Sequence, residues 1–286
     1  MRRLIVNADD FGLTSGVTRA IVEAYTQGIV TSATLMANGG ALQEAVQLAQ
    51  SVPRLSIGCH VVLVDGTPVL EESKVPSLLD NGNGSFQTAL SRFAVKCLRG
   101  ELAPDEIEAE AAAQVRKLQS AGISVSHLDT HKHTHMFSRV LRPLLRAAQN
   151  CGIRAIRNPL EPIRLGQIAG QPSLWKRWGQ VRILNRLAKE FRSAVVEAGM
   201  VTPDGTLGII ATGVMNERIL RSIIARIPEG TWELVCHPGY DDDDLAKAGT
   251  RLRASRVQEL ALLKSPRVRE ELQKHDIQLI SYREIV

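Results

Sequence analysis

The sequence predicts an α/β fold on parallel strands, a barrel in preference to a doubly wound sheet. Three observations carry this. Short runs rich in Val, Ile, Leu and Thr alternate with helix-like stretches, seven or eight times over the 286 residues. The runs are too continuously apolar to be half exposed, as expected of strands covered on both faces. After the first run stands Asn7-Ala-Asp-Asp-Phe-Gly12, with two carboxylates where a dinucleotide-binding fold needs glycines. The length fits one large domain, and 1–286 is read as a single barrel.

The expected strands, in order, are Leu4–Asn7, Thr31–Ala37, Leu55–Leu63, Val125–Asp129, Arg154–Arg157, Leu207–Ala211, Trp232–Cys236 and Ile277–Ser281. Gly16–Gln27 carries Val17, Ile21 and Ala24 at helical spacing, with Thr14 or Ser15 as the cap. Asp105–Gln119 has an acidic start after Pro104 and a glycine finish at Gly122. Arg139–Asn150 and Asn216–Ile227 also read as helices. Ser265-Pro266 marks a cap and a first-turn proline, separating helices Ala254–Lys264 and Pro266–Lys274. Asp65–Phe86 is a long, turn-rich loop expected over the mouth of a site.

The longest uncharged apolar runs fall far short of the ~20 residues a spanning helix needs. Arg2 and Arg3 lead directly into Leu4–Val6 with no signal-peptide pattern, so a cytoplasmic protein is expected. Four cysteines without CxxC spacing suggest neither a zinc knuckle nor a disulfide framework. The net charge of +5 is concentrated. Between Leu174 and Arg192, Lys176, Arg177, Arg182, Arg186, Lys189 and Arg192 face Glu190 only.

The chemistry gathers at strand ends. Asp9 and Asp10 follow the first strand, and His60 lies in the third. His127, Asp129, His131, His133 and His135 cluster at and beyond the fourth, and His237 follows Trp232–Cys236. Each taken singly reads as a core histidine, a helix cap or a solvated edge. Together they fall on strand C-termini, which converge on the rim where barrel active sites sit. One Asp and two His suit zinc or a neighbouring transition metal, with open positions for water and substrate. Such an ion activates water and polarises a carbonyl, and a second carboxylate can take the water's proton. Adjacent strand residues face opposite ways. Asp9 and Asp10 therefore share a site only if the strand ends there, at the Phe11-Gly12 turn.

These residues carry a resemblance. Val6-Asn-Ala-Asp-Asp-Phe-Gly12, Ile29-Val-Thr-Ser-Ala-Thr34, Ile57-Gly-Cys-His60, His127-Leu-Asp-Thr-His131 with His133 and His135, and Cys236-His-Pro-Gly239 resemble the YdjC-like carbohydrate deacetylases. The terminal Ser281-Tyr-Arg-Glu284 also fits. The resemblance implies a deformed (β/α) barrel of about seven strands with a metal site at its C-terminal rim, hydrolysing an N-acetyl amide on a sugar. It places one divalent ion, zinc in first place and magnesium or another as alternative, on Asp10, His60 and His131. Asp9 falls on the general base and His237 on the acid, while Arg157 matches a site arginine. Arg157, His133 and Tyr240 are the expected substrate contacts. His127 and His135 are read as structural, and Asp129 as orienting a ligand histidine.

Two substrates compete: soluble chito-oligosaccharides and a lipid-linked amino sugar. Leu174, Trp178, Val181, Leu184, Ala188, Phe191 and Val195 recur at helical spacing, so 174–196 reads as a basic amphipathic helix with Trp175 and Trp178 at its start. Such helices lie on anionic membranes, although an ordinary core-facing helix has the same pattern. The stretch, with a likeness to hopanoid biosynthesis-associated deacetylases, favours N-acetylglucosaminyl bacteriohopanetetrol. A nucleic-acid partner is not expected, since aromatics are 4% and no reading motif accompanies the basic run. A non-catalytic metal- or sugar-binding module has no need of Asp9.

Overall fold

Every strand pair in the computed structural model, which describes residues 1–80, 83–162 and 188–286, is parallel. β1 (Arg2–Phe11) lies at the centre. β6 (Gly230–Cys236) runs along one edge of it from Arg2 to Ala8. The other edge is shared, by β7 (Ile277–Ile280) over Arg2–Ile5 and by β2 (Ser32–Leu35) beyond Asn7. β3 (Ser56–Val61) and β4 (Val125–Thr130) extend the sheet beyond β2, and β5 (Gly205–Leu207) flanks β6. The two ends meet through residues 154–160. Leu128 pairs with Ile156, Ala155 pairs with Val201, and the Leu160 carbonyl accepts from Thr206. The result is the expected deformed barrel, irregular where it closes. β1 from Leu4 onward and all of β3 are buried, as their apolar runs imply.

Two expected strands change. Arg154–Arg157 makes single bridges instead of a ladder. Leu207–Ala211 ends where it was expected to begin. Gly208 turns the chain at φ 93°, and the Gly208 and Ile210 N–H groups donate to the Glu161 carboxylate in place of a neighbouring strand.

The helices are α1 (Ser15–Thr26), α2 (Leu42–Ser51), α3 (Leu90–Arg99), α4 (Pro104–Ser120), α5 (Ser138–Asn150), α6 (Ala188–Glu197), α7 (Glu217–Ile224), α8 (Asp243–Lys247), α9 (Ala254–Leu263) and α10 (Pro266–Lys274). Thr14 caps α1 and Asn216 caps α7, each accepting a backbone N–H. The expected loop is pinned from below over residues 69–77. Buried Glu110 on α4 accepts from Val69 and Leu70, and Glu106 accepts from Ser77. The Asp65 carboxylate accepts from Lys132, beside His131, which ties the loop to the rim.

Of the expected basic helix, residues 174–187 lie outside the described residues. Residues 188–196 fall in α6, which buries Phe191, Ala194 and Val195 and leaves Lys189 and Arg192 exposed. Among the described residues no helix is long and apolar enough to cross a membrane.

Candidate metal centre and active site

The tip of β1 brings two adjacent carboxylates to one place. Its register with β2 shifts between Ala8 and Phe11, and Asp10 takes a left-handed φ of 67°. Asp tolerates that conformation better than most residues. The break in alternation thus falls on Asp10 itself, one residue before the expected Phe11-Gly12 turn. Both residues are nearly closed off, at 2% and 3% exposure.

Asp10 meets His60 of β3 and His131, which follows β4. Asp10 Oδ1 lies 3.5 Å from His60 Nε2 and 3.4 Å from His131 Nδ1, and the two nitrogens are 3.3 Å apart. Donors ~2.1 Å from a common tetrahedral centre stand ~3.4 Å from one another, so this triangle fits a divalent cation. His60 and Asp129 are register partners across β3 and β4, and His60 Nδ1 lies 2.7 Å from Asp129 Oδ1. That bond keeps a proton on Nδ1 and turns Nε2, the nitrogen a metal would take, toward Asp10 and His131. The Thr34 hydroxyl stands 3.2 Å from both His60 Nδ1 and Asp129 Oδ2.

Electrostatics also call for a cation. Burial pulls the His60 pKa down, but Asp129, with Asp9 and Asp10, outweighs it and raises the value to about 9. Five carboxylates at 3% exposure or less (Asp9, Asp10, Asp129, Glu233 and Glu259) face two buried guanidinium groups, Arg157 and Arg256. Solvent still reaches the cluster at His131 and His237, whose side chains are 19% and 11% exposed.

Asp9 is held differently. Arg157 grips both its oxygens, Nη2 to Oδ1 at 2.6 Å and Nη1 to Oδ2 at 2.8 Å. Burial pushes the Asp9 pKa up, yet the Arg157 guanidinium wins and holds the carboxyl far below the usual range. Arg157 also reaches Asp129 at 2.5 Å and Glu233 at 2.7 Å. The Tyr282 hydroxyl donates to Glu233 at 2.6 Å, closing the network beneath the site. His237, after β6, directs Nε2 at Asp9 Oδ2 from 3.9 Å.

Three expected substrate contacts fare unequally. Arg157 is fully buried and its guanidinium is taken by three carboxylates, so it positions Asp9 and offers no surface to a substrate. Tyr240 is not brought into the cluster, because its hydroxyl donates to Glu23 on α1. His133 stays beside the site, on a 3₁₀ turn where it and Lys132 are left-handed (φ 53° and 54°). His135 is buried against the Thr130 hydroxyl at 2.6 Å, and His127 stacks on Tyr282 with centroids 3.6 Å apart.

Sequence reasoning missed Arg256, Glu259 and Glu233. Arg256 Nη2 donates to Asp10 Oδ2 at 2.5 Å, and Glu259 Oε2 accepts from the His237 backbone N–H at 2.6 Å. A signal was present. Arg256 and Glu259 share the helical face of Leu260 and Leu263, and Glu233 interrupts the apolar run Trp232–Cys236.

The family model for YdjC-like proteins matches residues 3–274. This chain belongs to the YdjC-like family. It is 36% identical over 284 residues to a carbohydrate deacetylase of Geobacillus stearothermophilus, covering 99% of this chain and 98% of that protein. A carbohydrate deacetylase of Brevibacillus brevis is 30% identical over 284 residues, with 99% of each chain covered. The crystal structure of a candidate cellobiose-phosphate cleavage protein from Enterococcus faecalis superposes with a TM-score of 0.81 at 26% identity, covering 100% of this chain and 99% of that one. A lactam utilization protein from Thermus thermophilus shares the fold at a TM-score of 0.52 and 15% identity, covering 98% and 99% of the two chains.

Proposed function

We propose that this chain is a metal-dependent carbohydrate deacetylase that hydrolyses the N-acetyl amide of an N-acetylglucosamine unit to acetate and the free amino sugar. One observation carries the reading: Asp10 Oδ1, His60 Nε2 and His131 Nδ1 converge beside an arginine-held Asp9, with His237 opposite. The carbohydrate deacetylases among its relatives support it.

Asp10, His60 and His131 hold the divalent ion, with zinc proposed because one carboxylate and two imidazoles suit it. Bound there, the ion supplies Lewis acidity, lowering the pKa of water and polarising a carbonyl oxygen. Asp9 accepts a proton as the water oxygen bonds the acetyl carbon. The Arg157 fork keeps it ionised and aimed, and makes its protonated form short-lived. His237 donates a proton to the nitrogen as the C–N bond breaks. His133 is the proposed substrate contact. Burial and the Arg157 charge lower its pKa to about 3, so it meets the sugar as a neutral imidazole.

The finer proposal is that the sugar is carried on a hopanoid lipid, N-acetylglucosaminyl bacteriohopanetetrol, met at a membrane surface. The basic run from Lys176 to Arg192, with Trp175 and Trp178, supports this reading. The test is acetate release by the zinc-loaded protein from soluble N-acetylated chito-oligosaccharides and from the glycolipid in anionic vesicles. Higher kcat/KM on the glycolipid is expected. Turnover of the soluble sugars only makes the substrate a chito-oligosaccharide, and no release from either ends the deacetylase reading.

A further inference from the structure

Glu259 on α9 is 2% exposed and takes no part in the scheme above. Its Oε2, besides accepting from the His237 backbone N–H at 2.6 Å, stands 3.9 Å from Nδ1 of the same imidazole. Nδ1 is buried and makes no hydrogen bond among the described residues. On the opposite side of the ring, Nε2 is 3.9 Å from Asp9 Oδ2. The imidazole thus stands between two carboxylates, Asp9 from β1 and Glu259 from α9.

The helix that carries Glu259 is anchored to the rim. Arg256, one turn earlier, donates from Nη2 to Asp10 at 2.5 Å and from Nε to the Leu252 carbonyl at 3.0 Å. Its carbonyl accepts from Gly239, two residues beyond His237, at 3.3 Å. Glu259 is therefore fixed relative to both halves of the site.

We propose that Glu259 is the positioning residue of His237. It holds one ring proton at Nδ1, so that Nε2, the nitrogen turned to Asp9, is the one that takes up a proton and delivers it to the amine. Which nitrogen of a histidine carries its proton is set by what faces the other one, and a proton-transfer histidine in the wrong tautomer loses most of its rate. The proposal rests on the deacetylase reading for its kinetic consequence, but not for the tautomer itself.

Glu259→Gln separates the two roles open to this side chain. Gln still accepts the His237 backbone N–H, yet carries no negative charge toward Nδ1. In the zinc-loaded protein we expect kcat to fall about ten-fold or more, with KM and zinc content within about two-fold of wild type. The ¹⁵N–¹H ring correlations of His237 should change from the Nδ1–H pattern to a mixture. Glu259→Asp, which keeps the charge, should retain the Nδ1–H pattern and recover part of kcat. Wild-type kcat and ring spectrum in Glu259→Gln would overturn the proposal, as would loss of zinc from it. Should Glu259→Gln not fold, the wild-type spectrum decides: a neutral His237 whose single proton is on Nε2 overturns it. Because the ring spectrum needs no substrate, a wild-type protein without deacetylase activity sinks the functional reading and leaves this one tested.

Discussion

Asp9 and Asp10 are neighbours in sequence, both nearly closed to solvent and each paired with a buried arginine, yet their oxygens are used in opposite ways. Both oxygens of Asp9 lie in the Arg157 fork. Asp10 gives only Oδ2 to Arg256, and its Oδ1 stands within 3.5 Å of His60 and His131. A carboxylate with one oxygen left among imidazoles is placed to bind a cation. One held at both oxygens stays ionised and still. The arginines differ too. Arg157 joins three carboxylates at the base of the site, whereas Arg256 serves one of them at its edge.

The widest separation between the two comes from amide substitution. Asp9→Asn should keep its metal and lose about 10²–10⁴-fold in kcat, the range a positioned base contributes. Asp10→Asn should lose the metal itself, measured by elemental analysis of the dialysed protein. The converse pattern, with metal lost in Asp9→Asn and kept in Asp10→Asn, would put the ion in the inner group formed by Asp9, His60 and Asp129.

Next comes stability. Removing one partner of a buried charge pair costs about 3–5 kcal/mol, because the other charge is left uncompensated. Arg157→Met strands three carboxylates and should cost at least that much. Arg256→Met strands one and should cost less. Urea melts of the metal-free proteins give the comparison, and equal losses would show that the two arginines do equivalent structural work.

A smaller effect concerns pH. In the metal-free protein His60 has a pKa raised from 6.5 to about 9 by Asp129 and its neighbours. Its charged form therefore stabilises the metal-free fold fully below pH ~6.5, and that contribution is lost as pH rises through about 9. A metal must displace the proton, so affinity should rise about ten-fold per pH unit between 7 and 9, with one proton released per ion. Titration calorimetry in buffers of different ionisation enthalpy reads that release directly. Zero release at pH 7 would mean that His60 is already neutral and that Asp129 acts by orientation only.

Much of this molecule is legible in residue order. Apolar runs give six of the seven described strands, and the helices starting near Thr14 and Asn216 are placed to within a residue. α2 escapes because its buried face is only Ala45 and Ala49, and Ala41, just before it, has no side chain that can cap. Arg256 and Glu259 lie on the apolar Leu260–Leu263 face of their helix, a signal of burial, but which groups they pair with appears only once the core is assembled around them. Similarly, Arg157 looks like a substrate clamp when only its place at a strand end is known.

What sequence by itself determined is the alternation of elements, their starts and stops, and the set of chemistry-bearing residues at strand ends. Those follow from local periodicity and capping, which act over a few residues. Only the tertiary structure decided which oxygen of which carboxylate is left for a cation, that Arg157 is spent beneath the site, and that Glu259 faces His237. These depend on pairs 148 and 246 residues apart, Arg157 with Asp9 and Arg256 with Asp10, and on a left-handed Asp10 that tilts two adjacent side chains to one rim. Burial then makes each such charge too costly to leave unpaired, so the packed barrel, and not the local pattern, assigns the partners.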